Sequence, residues 1–326
     1  MRYKKLIFVL LLLIFYSFKE LDLRFPEDFP EPYVPEHNEL TDARIKLGEK
    51  LFFEKALSRD STISCATCHN PSFAFTDRKT KAEGINGSFL DRNTPTLTNV
   101  AYNKMFLLDG VNPSLENQAL VPFHENREFD LHILIAADRL SNDSDYVNLA
   151  MLAYSTKPNP HVITSALASY QRTLISKNSK YDGYINKELG LTEEEIHGKK
   201  IFFDKLYCSE CHSGFNFTNN HLANNGLYDI YEDSGRIRLT GNIDDRAIFK
   251  VPSLRNIGIT YPYMHNGSMK SLKEVLYHYM SGGKNHENKS NIIKPFSLKE
   301  KEIDNLISFL HTLTDSTFIN SFESSK

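Results

Sequence analysis

The sequence predicts a mainly α-helical fold in two similar domains, and three observations carry that prediction. The stretch Gly48-Glu49-Lys50-Leu51-Phe52-Phe53-Glu54-Lys55 returns as Gly198-Lys199-Lys200-Ile201-Phe202-Phe203-Asp204-Lys205, so one module is present twice. Each copy leads into a Cys-x-x-Cys-His motif, Cys65 to His69 and Cys208 to His212. Helix signals dominate elsewhere. At 326 residues and 40% hydrophobic content, the chain has enough apolar material for two separate cores.

In chain order, Met1-Arg2-Tyr3-Lys4-Lys5 and the apolar run from Leu6 to Tyr16 form a basic-flanked segment too short to span a bilayer comfortably. It reads as an export signal over 1–18. An uncleaved N-terminal anchor is the alternative, because Ser17-Phe18-Lys19 lacks a small-x-small cleavage pattern. The first domain is expected over 19–190 and the second over 191–326, with the boundary near Leu189 to Thr192. Val162, Ala166, Tyr170 and Leu174 lie four apart and predict a helix over about 162–174. Capping boxes are expected at Thr192/Glu195, Ser271/Glu274 and Ser297/Glu300, the last opening an amphipathic helix with Ile303, Leu306, Ile307 and Leu310 on it. The polar stretch from Asn216 to Asp233 predicts a loop. The 38 basic residues nearly balance the 41 acidic ones, with no long run of one sign, which argues against nucleic acid as a partner.

All four cysteines lie in the two motifs, leaving none for a structural disulfide. Two thiols at this spacing reach both vinyl groups of one porphyrin, and the histidine that follows presents an imidazole to the iron. A redox dithiol or a zinc site would need that histidine to follow by accident in both copies. The 139 residues between Cys68 and Cys208 are also far more than the loop of a zinc ribbon. The reading is therefore two covalently bound c-type haems in two cytochrome c-like haem domains. Cys65, Cys68, Cys208 and Cys211 attach them, and His69 and His212 ligate the irons. Haem of this type is attached outside the cytoplasm, which agrees with an export signal and a periplasmic location.

The motifs and the text around them resemble the bacterial di-haem cytochrome c peroxidase and MauG family over Thr41 to Leu313. The stretches that carry the resemblance include Arg92-Asn93-Thr94-Pro95-Thr96-Leu97, Glu116-Asn117-Gln118-Ala119-Leu120, Phe249-Lys250-Val251-Pro252-Ser253-Leu254-Arg255-Asn256 and Tyr263-Met264-His265-Asn266-Gly267. The resemblance implies that hydrogen peroxide reacts at the N-terminal haem of His69, while the C-terminal haem of His212 receives electrons from a small c-type cytochrome or copper protein. It assigns acid/base work to Glu128, ten residues beyond Gln118, which lines the same pocket. A carboxylate there can move a proton between the two oxygens of peroxide. It also implies a calcium ion between the domains, held by Asn93 and by Thr260 and Pro262 of the Thr260-Tyr261-Pro262 segment. Dimers are common in the family, so the resemblance admits a homodimer, although the sequence shows no interface signature.

Three family positions differ. The histidine that closes the resting N-terminal haem, sixteen residues after the proximal one, is Ile85 here, and His124 is the nearest histidine able to replace it. The tryptophan before Asp109-Gly110 is Leu108, in a chain with no tryptophan, which leaves Tyr102 or Phe106 as aromatic substitutes between the haems. The distal methionine of the second haem, seventeen residues after Pro262, is Tyr279, the residue type MauG uses, with Met280 beside it as the alternative. The leading reading is a cytochrome c peroxidase that reduces hydrogen peroxide to water. MauG-like oxidation of a partner protein or small molecule is the rival, towards which the three departures lean. A non-enzymatic di-haem electron carrier is the third.

Overall fold

The computed structural model describes residues 25–323, so the expected export segment over 1–18 lies outside the described residues. Among the described residues twelve α-helices carry the fold, and sheet is confined to one antiparallel pair of two-residue strands, β1 (Leu222–Ala223) and β2 (Phe249–Lys250). The fold is mainly α, as the sequence predicts. The first half holds α1 (Asp42–Phe52), α2 (Cys65–Cys68), α3 (Leu115–His124), α4 (Ile133–Ser141), α5 (Ser144–Tyr154), α6 (Pro160–Arg172) and α7 (Lys180–Ile185). The second holds α8 (Glu193–Lys200), α9 (Ile237–Thr240), α10 (Leu272–Met280) and α11 (Glu300–His311), and α12 (Ser316–Glu323) follows. None of these helices is long and apolar enough to cross a membrane.

Both copies of the repeated module are built on one helix crossing. In the first, α1 lies on α6, and Gly48 comes so near that an added Cβ would collide with the Ala166 carbonyl and press on Tyr170. In the second, α8 lies on α11, and Gly198 stands in the same relation to the Asn305 carbonyl and Phe309. The next aromatic of the module seals each crossing. Phe52 packs on Tyr170 with ring centroids 5.2 Å apart, and Phe202 packs on Phe309 at 5.4 Å, both pairs tilted by 55°. Such pairs add to the stabilisation from burial alone. Around them each half closes its own core, with Leu47, Leu51 and Leu167 in the first and Ile303, Leu306 and Leu310 in the second.

Helix ends follow local side-chain chemistry. Thr192 and Glu195 form a reciprocal capping box at the start of α8. The Asn159 side chain caps α6, which starts at Pro160 and ends at Arg172, two residues earlier at each end than the spacing predicts. At Ser271 the hydroxyl accepts from the Glu274 N–H, but the Glu274 carboxylate takes the Lys270 N–H instead of completing the box. The expected box at Ser297/Glu300 does not form. Lys299 is the N-cap of α11, and its N–H donates to Glu302 at 2.9 Å. The Glu300 carboxylate is occupied by Lys273 at 2.6 Å and Tyr277 at 3.0 Å, both on α10. A charged donor makes the stronger bond, so the cap passes to the next acid.

The halves are tied together by polar groups and by the end of the chain. Arg255 forms a two-pronged buried ion pair with Asp182, at 2.8 and 2.9 Å. Arg92 bridges Asp109 at 2.8 Å and Asp233 at 2.6 Å. The α12 helix returns to the first half, where Phe318 and Phe322 meet Phe75 at 6.0 and 5.1 Å. The end of the expected 191–326 domain therefore packs into the core of the other half.

Gly48→Ala and Gly198→Ala should each destabilise the protein by about 1–3 kcal/mol, the usual effect of forcing a methyl group into a packed contact. This loss should outweigh the gain of about 1 kcal/mol that alanine gives an unobstructed helix position. Denaturant unfolding of the two variants measures it, and unchanged midpoints in both would contradict the crossing described.

Candidate active site

The Ser64 N–H donates to the Thr67 hydroxyl at 3.0 Å and fixes the start of α2, which carries Cys65 and Cys68 one turn apart, with His69 as its C-cap. The His69 Nδ1 lies 3.0 Å from the Phe75 carbonyl. A carbonyl only accepts, so Nδ1 carries the proton and Nε2 keeps its lone pair for a metal. Burial holds this imidazole below its usual pKa, in the neutral form a ligand needs. Burial also pushes the Cys65 and Cys68 thiols up to about 12. These three residues border a cavity of about 920 Å³. On its wall the Gln118 and Gln171 Oε1 atoms are buried without a protein partner, polar atoms of the kind a bound group satisfies. Space, thiols and an imidazole with a free nitrogen together fit a haem.

Gln118 and Glu128 reach this cavity from different stretches of backbone. Gln118 sits on α3, and the chain after that helix folds back on it: the Phe129 N–H donates to the Pro122 carbonyl at 3.0 Å, and the Phe129 ring meets Phe123 at 5.3 Å. This return puts Glu128 on the cavity wall beside Gln118. Its carboxyl is pushed up to about 7, first by burial and then by Glu125, with Arg127 opposing. Arg127 is itself engaged by Asp91 at 3.0 Å and Glu125 at 3.1 Å. The charge of Glu128 is felt at both Cys65 and Cys68.

The second motif is a 3₁₀ turn over Cys208–Glu210, followed by Cys211 and His212. The His212 Nδ1 faces two carbonyls, Pro252 at 3.1 Å and Phe217 at 3.2 Å, so Nδ1 is again the protonated nitrogen. Phe217 thus serves His212 as Phe75 serves His69. Tyr279 on α10 is half-buried, and its phenol is pushed up to about 12 by burial, opposed by an Asn225 hydrogen bond and reinforced by Cys211 and Cys208. The phenol is thus electrostatically coupled to the second pair of cysteines. Met280 packs against the second core instead, and its carbonyl accepts from the Phe296 N–H at 3.1 Å.

The three departures take definite positions. Ile85 is buried and does not border the cavity, whereas Ala82 and Gly84 of the same loop do. His124 is exposed, edge-on to His132 at 6.5 Å, and does not border the cavity either. Leu108 lines it, and its carbonyl accepts from the Lys250 N–H at 2.7 Å. Phe106 lines the cavity too, while Tyr102 packs against Phe29 at 5.9 Å and Phe215 at 4.8 Å. The Asn93 side-chain nitrogen donates to the Lys79 carbonyl at 2.7 Å, and its backbone N–H donates to the His265 carbonyl at 2.8 Å, next to the loop that carries Thr260 and Pro262. Among the described residues, no group of three or more His, Cys, Asp or Glu forms a metal-binding cluster. Lys250 and His265, quoted above only as part of longer stretches and given no role there, also border the cavity. His265 stacks on Phe249 at 4.3 Å, and burial holds its imidazole down to about 4.

Comparison with known proteins settles the family. The di-haem cytochrome c peroxidase profile matches residues 42–189, and the cytochrome c profile matches residues 196–314. The methylamine utilization protein MauG of Methylorubrum extorquens is 36% identical over 295 residues, which cover 89% of this chain and 82% of that protein. The chain belongs to the di-haem cytochrome c peroxidase and MauG family. The cytochrome c551 peroxidase of Nitrosomonas europaea is 30% identical over 275 residues, covering 82% of this chain and 79% of that one. The crystal structure of a MauG-like protein associated with microbial copper homeostasis matches with a TM-score of 0.87 at 30% identity, over 91% of this chain and 97% of that chain. Membership makes this protein an oxidoreductase with two c-type haems.

Replacing Cys208 and Cys211 together by Ala should leave one covalently bound haem where the unaltered chain carries two. Intact-protein mass spectrometry reads the difference directly. Two haems retained in the variant would contradict the role given to the second motif.

Proposed function

We propose that this protein is an exported, peroxide-consuming di-haem oxidase of the MauG kind, in which a partner protein or small molecule supplies the electrons that reduce hydrogen peroxide to water. The observation that carries the reading is Tyr279, whose phenol is electrostatically coupled to Cys208 and Cys211 and which stands at the sequence position where the family's peroxidases have a methionine. A tyrosine ligand stabilises ferric iron and makes that haem a poor acceptor for electrons from a small cytochrome or copper protein. The extent of the similarity to MauG and to the MauG-like structure supports the same reading. A cytochrome c peroxidase fed through the His212 haem is the second reading, supported by the similarity to the cytochrome c551 peroxidase. A simple electron carrier has no use for a carboxyl and an unpaired amide on the wall of an open cavity.

When bound at His69, the haem supplies the iron at which the O–O bond is broken. The chain supplies the proton handling. Glu128 accepts the proton from one peroxide oxygen and returns it to the other, which leaves as water, and the Gln118 amide orients the peroxide by hydrogen bonding. Two electrons from the substrate and two protons complete the reduction to two waters. Ile85 is in the core, His124 is on the surface, and the imidazole that does border the cavity, His265, is stacked on Phe249, so we infer that the enzyme is active as isolated, without prior one-electron reduction. The same proposal includes a calcium ion held by Asn93 and by the Thr260 and Pro262 carbonyls, since amide and carbonyl oxygens suit a hard cation.

Glu128 works as a base, so its ionised form is the active one. Because its carboxyl is raised to about 7, the rate of peroxide consumption should fall as the pH drops through that value. Glu128→Gln should slow the reaction about 10²–10⁴-fold, remove this pH dependence and leave both haem spectra unchanged. A near-normal rate in the variant would sink the assignment.

Tyr279→Phe should change the spectrum of the C-terminal haem and raise its potential, with Met280→Leu as a silent control. A haem that responds only to the Met280 change would put the enzyme with the standard peroxidases.

A further inference from the structure

The cavity beside His69 is also bordered by a lysine of the second half. Lys250 ends β2, and its backbone is fixed by the ladder with β1 and by the bond from its N–H to the Leu108 carbonyl. Lys250 borders the same cavity as Cys65, Cys68 and His69. The arginines on that wall already have carboxylates: Arg92 bonds Asp109 at 2.8 Å and Asp233 at 2.6 Å, Arg238 bonds Asp109 at 2.6 Å, and Arg127 bonds Asp91 at 3.0 Å, while Lys81 at the rim is exposed to solvent. Lys250 has no such partner among the described residues, and burial alone pushes its ammonium down to about 8. Lys250 is half-buried, and a partly desolvated cation without a counter-charge is unfavourable, a penalty that an anion entering the site removes.

The group that fits this cavity brings anions with it, because a haem carries two propionate carboxylates. We propose that the Lys250 ammonium is the ion-pair partner of a propionate on the haem attached at Cys65 and Cys68, an assignment that rests on the two-haem reading above. The segment continues as Val251 and Pro252, and the Pro252 carbonyl is one of the acceptors of the His212 Nδ1–H, at 3.1 Å. One short stretch therefore holds a carboxylate of the first haem at one end and the axial imidazole of the second at the other. It does so directly beside Leu108, where the family's tryptophan would stand. Lys250 is a positioning residue, and its charge favours the reduced state of the first haem.

The test uses the full matured chain, after mass spectrometry has shown two haems on each variant. Lys250→Met keeps the length of the side chain and removes its charge. Spectroelectrochemistry should then show a lower midpoint potential for the N-terminal haem, an unchanged one for the C-terminal haem, and recovery in Lys250→Arg. Lys250→Gln, read in the same way, decides the case if the Met variant fails to mature. Unchanged potentials in a two-haem variant would overturn the proposal and leave the two-haem reading intact, whereas an unaltered chain without haem at the first motif would overturn both. A potential that follows acetate concentration in the unaltered protein, and not in Lys250→Met, would assign the ammonium to a solution carboxylate and also overturn it.

Discussion

The α1/α6 and α8/α11 crossings are each set by a glycine, Gly48 or Gly198, lying against a carbonyl oxygen of the partner helix. Only a residue without a side chain permits that approach, and the approach brings Phe52 onto Tyr170 and Phe202 onto Phe309. Each crossing forms the floor on which a Cys-x-x-Cys-His turn is laid, with the imidazole proton directed to a carbonyl, Phe75 in one half and Phe217 in the other. The proximal side of both sites is thus the same device used twice.

The difference between the halves lies on the other side of each site. In the first, α3 and the return after it present an uncharged amide, Gln118, and a carboxyl raised towards neutrality, Glu128, to an open cavity. In the second, α10 carries the Tyr279 phenol, electrostatically coupled to the cysteines. An open site with a proton carrier suits reaction with a small oxidant. The Lys250 to Pro252 segment links the two, since it borders the first cavity and bonds the second imidazole.

Much of this was legible in the sequence because it depends on neighbours. The haem motifs, the repeated Gly-x-x-φ-Phe-Phe framework, the Thr192/Glu195 box and the helix around Ala166 are all relations within a few residues. What escaped depends on distant approach. Glu300 looked like the partner of Ser297 until α10 brought Lys273 and Tyr277 to it. Ile85 holds the sequence position of a ligand, yet its side chain turns into the core, and α12 returns to a half it follows by more than a hundred residues. Lys250 and His265 lie in stretches that carry the resemblance, but their place on the cavity wall shows only once the cavity is formed.

In the function proposed, the first iron is open and the protein meets peroxide without being primed. Electron paramagnetic resonance of the resting all-ferric protein, followed by addition of hydrogen peroxide with no reductant present, reads both. One high-spin and one low-spin ferric haem are expected, with immediate loss of the high-spin signal on adding peroxide. Two low-spin haems, and no reaction until one electron has been supplied, would mean that the first iron is closed at rest.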